Sequence, residues 1–159
     1  MKKTAQAWGF DLMVAMTIFL AGILIFFLYT INLTNQTEEI LDTLLYDGNA
    51  IVNSLLSEGF PINWDTSNVQ KIGLLSNKKI NVTKLENFNT LAETDYLRTK
   101  AIFNTRFNYY MEFQENITLS LGEIEGIGLK PLNETNVVQI KRVTIYKDKP
   151  ATLSLQVWE

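Results

Sequence analysis

Four glutamates in the last third of the chain are the side chains best suited to acid–base chemistry. A glycosidase uses two carboxyl groups that flank the sugar bond, and the candidates are Glu112, Glu115, Glu123 and Glu125. Glu112, however, alternates with apolar residues and therefore lies on the polar face of a predicted strand, with no sign of a cleft. We interpret the four side chains as solvated charges.

Groups that could hold a ligand are equally few. Three glycines in one short stretch lack the spacing of a phosphate-binding loop and precede no Lys-Ser/Thr pair, so they predict turns at Gly122, Gly126 and Gly128. Four aromatic residues could form a sugar-binding platform, although packing in a core is their commoner use: Trp64, Tyr109, Tyr110 and Trp158.

Composition excludes further classes. The 159 residues include no cysteine and no histidine. Without thiols and imidazoles the chain lacks a disulfide framework, a thiol nucleophile, an imidazole base and a nitrogen or sulfur metal site. The net charge is -3 and the basic residues are scattered, which argues against a nucleic-acid partner. We expect no enzyme activity, cofactor or metal, and a membrane-tethered hydrolase is the least favoured hypothesis.

Five asparagines form the glycan acceptor pattern Asn-x-Thr, where about two would arise by chance. Modification and a merely Asn-rich composition both remain open. The candidate sites are the three that lie at predicted turns or loops, namely Asn81, Asn116 and Asn133. Asn116, at the tip of a predicted hairpin, is the best placed. Asn32 and Asn35 lie in a predicted helix beside the bilayer, and we expect them to be bare.

A long apolar stretch must position everything else. From Leu12 to Ile31 there is no charge and no proline, which is about the 20 residues needed to cross a bilayer. We predict a transmembrane helix over 10–31, with a basic cytoplasmic leader over 1–9 because Lys2 and Lys3 precede the span. A cleaved secretory signal is the alternative, but its apolar region would be shorter and would end in small residues.

The helical pattern continues past the span. Apolar residues repeat at spacings of three, four and seven, which predicts an amphipathic continuation of the helix over 32–58. Gly48 weakens this helix, and Gly59-Phe60-Pro61 ends it. The apolar residues are Ile40, Leu41, Leu44, Leu45, Ile51, Val52, Leu55 and Leu56. The remaining 59–159 predict an extracellular α+β head.

The head pattern can be assigned element by element. It predicts a strand over 69–75, a turn over 76–79, helices over 84–91 and 95–104 capped by Thr83 and Thr94, a hairpin of 107–114 with 117–121, and a hairpin of 137–146 with 151–158. The fold class is α+β, an antiparallel sheet of four or five strands with the amphipathic half of the long helix covering one face.

The N-terminus resembles the leader and first helix of archaeal type IV pilin-like proteins. Lys2-Lys3-Thr4-Ala5 is followed by Gln6 and then by an apolar helix that begins Gly9-Phe10-Asp11-Leu12. The resemblance covers about residues 1–58 and implies a pilin-like fold and a prepilin peptidase cut between Ala5 and Gln6 that leaves the helix on the mature subunit. Asp11, the sixth residue from Gln6, is either the counterpart of the family's acid near the helix start or an interfacial acid that the helix dipole favours.

The resemblance also implies a function. The chain would be a structural subunit of a surface filament or pseudopilus, in contact with the membrane and assembled through its helix with copies of itself or related pilin-like subunits. Asp11 and Leu12 lie at the start of this assembly helix. The small residues Ala15, Ala21 and Gly22 follow and permit close approach of a second helix. The alternative is a bitopic surface-binding or adhesion protein that stays in the membrane and does not polymerise.

Overall fold

The computed structural model describes residues 4–115, 117–119, 122–123 and 125–159. The chain divides into two compact units, Met1–Ile40 and Leu41–Glu159. Helix α1, Thr4–Leu55, supplies the first unit and the first element of the second, which we call the head. The predicted α+β class is confirmed, with a long apolar helix followed by antiparallel sheets.

In the described residues the head contains two further helices and three sheets. The helices are α2, Val82–Thr94, and α3, Tyr96–Phe103. The strands are β1 Leu75–Ser76, β2 Lys79–Ile80, β3 Asn108–Phe113, β4 Thr118–Leu119, β5 Gly122–Glu123, β6 Ile127–Gly128, β7 Val137–Tyr146 and β8 Lys149–Trp158. The main sheet has the order β6-β3-β8-β7, and β1-β2 and β4-β5 form separate pairs.

The part of α1 that belongs to the head packs on the main sheet. Leu44, Ile51, Val52 and Leu55 are buried, as the helical spacing predicts. A Cβ atom at Gly48 would lie 2.7 Å from Ile140 Cδ1 and 3.3 Å from Val157 Cγ2, so this glycine brings the helix backbone close to β7 and β8. Gly48 thus permits close packing, which the sequence alone did not indicate. Leu41 and Leu45, by contrast, remain exposed.

The second predicted hairpin is confirmed. Strands β7 and β8 pair over ten residues each, and the connecting turn consists of Lys147 and Asp148, both with positive φ. Leu153, Leu155 and Val157 are fully buried on one face of β8, which lies at the centre of the sheet between β3 and β7.

The first predicted hairpin is wrong. Strand β3 pairs with β8 over six residues and with β6 over two, while β4 pairs with β5. The alternation of apolar residues assigned β3 correctly as a strand, but alternation cannot identify a strand's partner. The long C-terminal strand offers β3 six backbone pairs, far more than the two-residue β4 could offer.

The predicted strand over 69–75 is also wrong, since only its last residue lies in a strand and its last two residues bond to the C-terminal end of α1. Leu74 N donates to Leu55 O over 2.8 Å and Leu75 N donates to Ser57 O over 2.9 Å. The first of these bonds satisfies a carbonyl group that the helix end leaves without a partner, and α1 ends at Leu55 rather than at 58. Gly73 is required here, since a Cβ atom would lie 2.5 Å from Ser57 O and closer still to Gly59 N.

The caps of the two short helices lie next to the predicted ones. Asn81 Oδ1 accepts a hydrogen bond from Lys84 N at the start of α2, and Asp95 Oδ1 accepts one from Arg98 N at the start of α3. Thr94 instead lies inside α2, where its hydroxyl donates to Thr90 O over 2.7 Å. The predicted caps Thr83 and Thr94 are therefore wrong by two residues and by one residue.

A buried lysine joins these elements. The Lys84 side chain is almost fully buried, and its Nζ donates to Glu58 O over 2.7 Å and to Leu75 O over 2.8 Å. Burial lowers the pKa of this amine, and the nearby Glu58 carboxylate opposes that shift. A cation that bonds carbonyl groups just beyond a helix C-terminus is favoured by the helix dipole.

The core between the helices and the sheet is aromatic. Tyr109 is fully buried, and its ring lies 6.3 Å from that of Phe88, 5.3 Å from Phe103 and 5.1 Å from Tyr96, measured between centroids. Its hydroxyl group shares a hydrogen bond of 2.5 Å with Thr99 Oγ1. Burial raises the pKa of Tyr109 well above the ordinary tyrosine value.

We expect this tyrosine to destabilise the head at alkaline pH. A pKa that is higher in the folded than in the unfolded state gives a contribution that is fully present below about pH 10 and is lost as the pH rises further. Tyr109→Phe should lower the free energy of unfolding by about 1 kcal/mol at pH 7, through the lost hydroxyl contact, and should flatten its decline above pH 10.

Chemical unfolding between pH 7 and 11.5 measures this. Burial lowers the pKa values of Lys84 and Lys100, so these lysines make the free energy of unfolding rise with pH, opposite to the tyrosine. Their contribution cancels when the variant is compared with the wild type. Tyr46→Phe, at an exposed position, is the matched control and should follow the wild type. An alkaline decline that is unchanged by Tyr109→Phe would contradict the assignment.

Candidate functional site

The apolar segment of α1 is the most distinctive surface of the chain. Gly9–Ile31 is 23 residues long, and by length and composition it can cross a membrane. Its position near the N-terminus is compatible with a membrane span or with a signal sequence. None of its most apolar window is buried within the chain.

The cost of leaving this surface in water is large. Sixteen large apolar side chains between Phe10 and Ile31 are exposed. At about 1.5 kcal/mol for each, their transfer out of water exceeds roughly 20 kcal/mol. A domain is typically stable by only about 5–15 kcal/mol, so this segment requires an apolar environment that the chain itself does not provide.

Two polar side chains in the segment bond within the helix. Thr17 Oγ1 donates to Met13 O and Thr30 Oγ1 donates to Phe26 O, each over 2.9 Å. In hydrocarbon every polar group must be satisfied internally, and these i-to-i−4 bonds meet that requirement.

The predicted assembly residues all lie exposed on α1. Helical geometry of 3.6 residues per turn places Asp11, Ala15 and Gly22 within about 40° of one another around the axis. Leu12 and Ala21 fall on either side of this face, about 80–100° away. A Cβ atom at Gly22 would meet nothing within 4 Å. The predicted processing residues Ala5 and Gln6 lie in the first turns of α1.

The aromatic residues considered as a sugar platform are in the core. Trp64, Tyr109, Tyr110 and Trp158 are all buried, and Trp64 Nε1 donates to Gly73 O over 2.9 Å. Their role is packing, as the commoner use of such residues predicts.

Glu115 and Glu125 have partners within the head. Glu115 Oε2 accepts a hydrogen bond from Thr152 N over 2.6 Å, and Glu125 forms an exposed ion pair of 3.7 Å with Lys130. Glu112 pairs with Ser154 in the ladder between β3 and β8. Glu123 lies in β5. These placements favour structural and solvated roles.

An open cleft of about 520 Å³ lies beside the end of α3, and it carries Asp47, Lys100 and Arg106. Thr105 Oγ1 donates to Asp47 Oδ2 over 2.7 Å, Lys100 Nζ donates to Asn108 Oδ1 over 3.2 Å, and the Arg106 guanidinium stands 4.9 Å from the centre of the Phe107 ring. Each charged group already has a partner within the head. We therefore interpret the cleft as part of the packing between α1 and α3 and not as a ligand site.

The candidate glycan acceptors differ in their environments. Asn81 caps α2 through Oδ1, and its Nδ2 donates to Ser76 Oγ over 3.1 Å. Asn133 lies exposed in the loop before β7. Asn116 lies outside the described residues, and Asn32 and Asn35 lie within α1.

We expect Asn133 to carry more glycan than Asn81 in the native protein. Modification of Asn81 would require its amide nitrogen to leave Ser76 and would endanger a cap that typically contributes about 1 kcal/mol. Intact-glycopeptide mass spectrometry gives the occupancy of each site. Full occupancy of Asn81 with a bare Asn133 would show that accessibility in the folded head does not determine modification.

Comparison with known proteins adds no family assignment, since the chain matches no protein-family model, no curated protein and no solved structure.

Proposed function

We propose that the chain is a structural subunit of an archaeal type IV pilus-like surface filament or pseudopilus. Its N-terminus is cytoplasmic before assembly, and prepilin peptidase cuts between Ala5 and Gln6. The apolar segment of α1 sits in the membrane first and then among copies of itself or of related subunits. The head is extracellular and faces outward.

The observation that carries the proposal is the apolar segment of Gly9–Ile31, exposed on all sides and part of the same helix that enters the head core. Lipid and a bundle of identical helices are the two environments that cover such a surface on every side. The face with Asp11, Ala15 and Gly22 supports close helix approach. The leader Lys2-Lys3-Thr4-Ala5 before Gln6 supports processing of the pilin type.

A membrane-anchored surface-binding or adhesion protein that does not polymerise is the second candidate. It is favoured by Thr17 and Thr30, whose hydroxyl groups donate to carbonyl groups of their own helix and thus need no partner helix. The two candidates predict the same location before assembly and differ in the mature N-terminus and in the presence of filaments.

We expect the mature chain to begin at Gln6 and to be found in surface material sheared from intact cells. N-terminal sequencing of the sheared and membrane fractions, with negative-stain microscopy of the sheared fraction, tests this. A chain that starts at Met1 and stays in the membrane would favour the anchored protein. A chain that starts beyond Ile31 would identify the apolar segment as a cleaved secretory signal and would overturn both candidates.

A further inference from the structure

Two tight turns meet at one end of the head. Asn77 and Lys78 form the turn between β1 and β2, and Lys147 and Asp148 form the turn between β7 and β8. Lys79 Nζ donates to Asp148 Oδ1 over 2.5 Å and ties the two turns together. We call this surface the lysine tip and define it by four exposed lysines, Lys78, Lys79, Lys147 and Lys149.

The lysine tip is basic in an acidic protein. Two acidic residues lie beside these lysines, and both already accept hydrogen bonds. Asp148 bonds Lys79, and Glu58 Oε1 accepts a hydrogen bond from Asn77 N over 3.2 Å. Four lysines and two acids leave an excess of positive charge at this end, whereas the whole chain has a net charge of -3. A local charge of opposite sign to the rest of the molecule attracts anionic partners to this end of the head.

Two of these lysines occupy strained backbone positions. Lys78 has φ 64° and Lys147 has φ 47°, in the left-handed region that glycine adopts at lower cost. Turns of this kind between two strands favour Asn-Gly or Asp-Gly. Strain of this kind clusters at functional sites in proteins.

We propose that the lysine tip binds an acidic polysaccharide through the carboxylates of its sugars. Lysines on projecting turns can follow an extended polymer without a cleft. The Lys147 ammonium lies 5.0 Å from the centre of the half-buried Tyr146 ring, and this contact holds the cation beside the turn. Each sugar of a polyuronate carries one carboxylate, with which an exposed ammonium can form a charge-assisted hydrogen bond.

Nucleic acid fits the lysine tip less well. Duplex DNA carries one negative charge per about 1.7 Å of helix axis, a higher charge density than that of a polymer with one carboxylate per sugar. The net charge of the chain is -3 even with the lysine tip included, so the rest of the molecule repels DNA more strongly than it repels a polyuronate. The proposal does not depend on whether the chain polymerises.

The test measures binding of the full chain, held in a neutral detergent, to immobilised polygalacturonate. We expect binding that weakens as salt is raised and no binding to uncharged dextran. Lys78→Gly combined with Lys147→Asn should weaken binding about three- to tenfold, as loss of two exposed charge contacts implies. The same variant should unfold at an equal or higher temperature, because Asn-Gly suits the first turn and Asn tolerates a positive φ in the second.

The matched control is Lys130→Gln combined with Lys141→Gln, which removes two exposed lysines elsewhere in the head. Its affinity for polygalacturonate should stay within about twofold of the wild type. Equal weakening by the control would mean that net charge alone governs binding and would overturn the site. Absence of binding at low salt would overturn the function of the lysine tip. Tighter binding to duplex DNA than to polygalacturonate, lost in the tip variant, would overturn the ligand class.

Discussion

The apolar surface between Gly9 and Ile31 has to be kept out of water. One helix, α1, meets two different requirements. Its first part exposes large apolar side chains. Its last part covers a β-sheet with Leu44, Ile51, Val52 and Leu55 and comes close to that sheet at Gly48. The head therefore completes its own core without the apolar segment.

The head is organised around the end of this helix. Backbone groups of Leu74 and Leu75 bond to Leu55 and Ser57, and the buried Lys84 amine bonds to carbonyl groups of Glu58 and Leu75. These bonds fix β1 and β2 next to the end of α1, and the ion pair of Lys79 with Asp148 joins them to the hairpin of β7 and β8. The lysine tip is thus a consequence of how the head satisfies the carbonyl groups where α1 ends.

Local patterns in the sequence predicted the structural features that depend on residues close together in the chain. The apolar segment, the buried face of α1 and the β7-β8 hairpin follow from periodicity and turn chemistry. Pairing of β3 with β8 joins residues 40 to 50 positions apart, so alternation predicted the strand but not its partner. The 69–75 segment reads as a strand, yet the need to cap α1 outweighs its β propensity. The lysine tip depends on two turns that meet only in the folded head, so no single stretch indicates it.

Cross-linking within the apolar segment tests most directly whether this helix joins copies of the chain. The natural sequence has no cysteine, so Ala15→Cys combined with Gly22→Cys introduces the only two thiols, on one face of α1. Treatment of sheared surface material with a short bismaleimide should give a ladder of covalently linked chains in denaturing electrophoresis. The ladder should disappear when detergent disperses the material before treatment. A variant that remains monomeric under both conditions would contradict assembly through this helix.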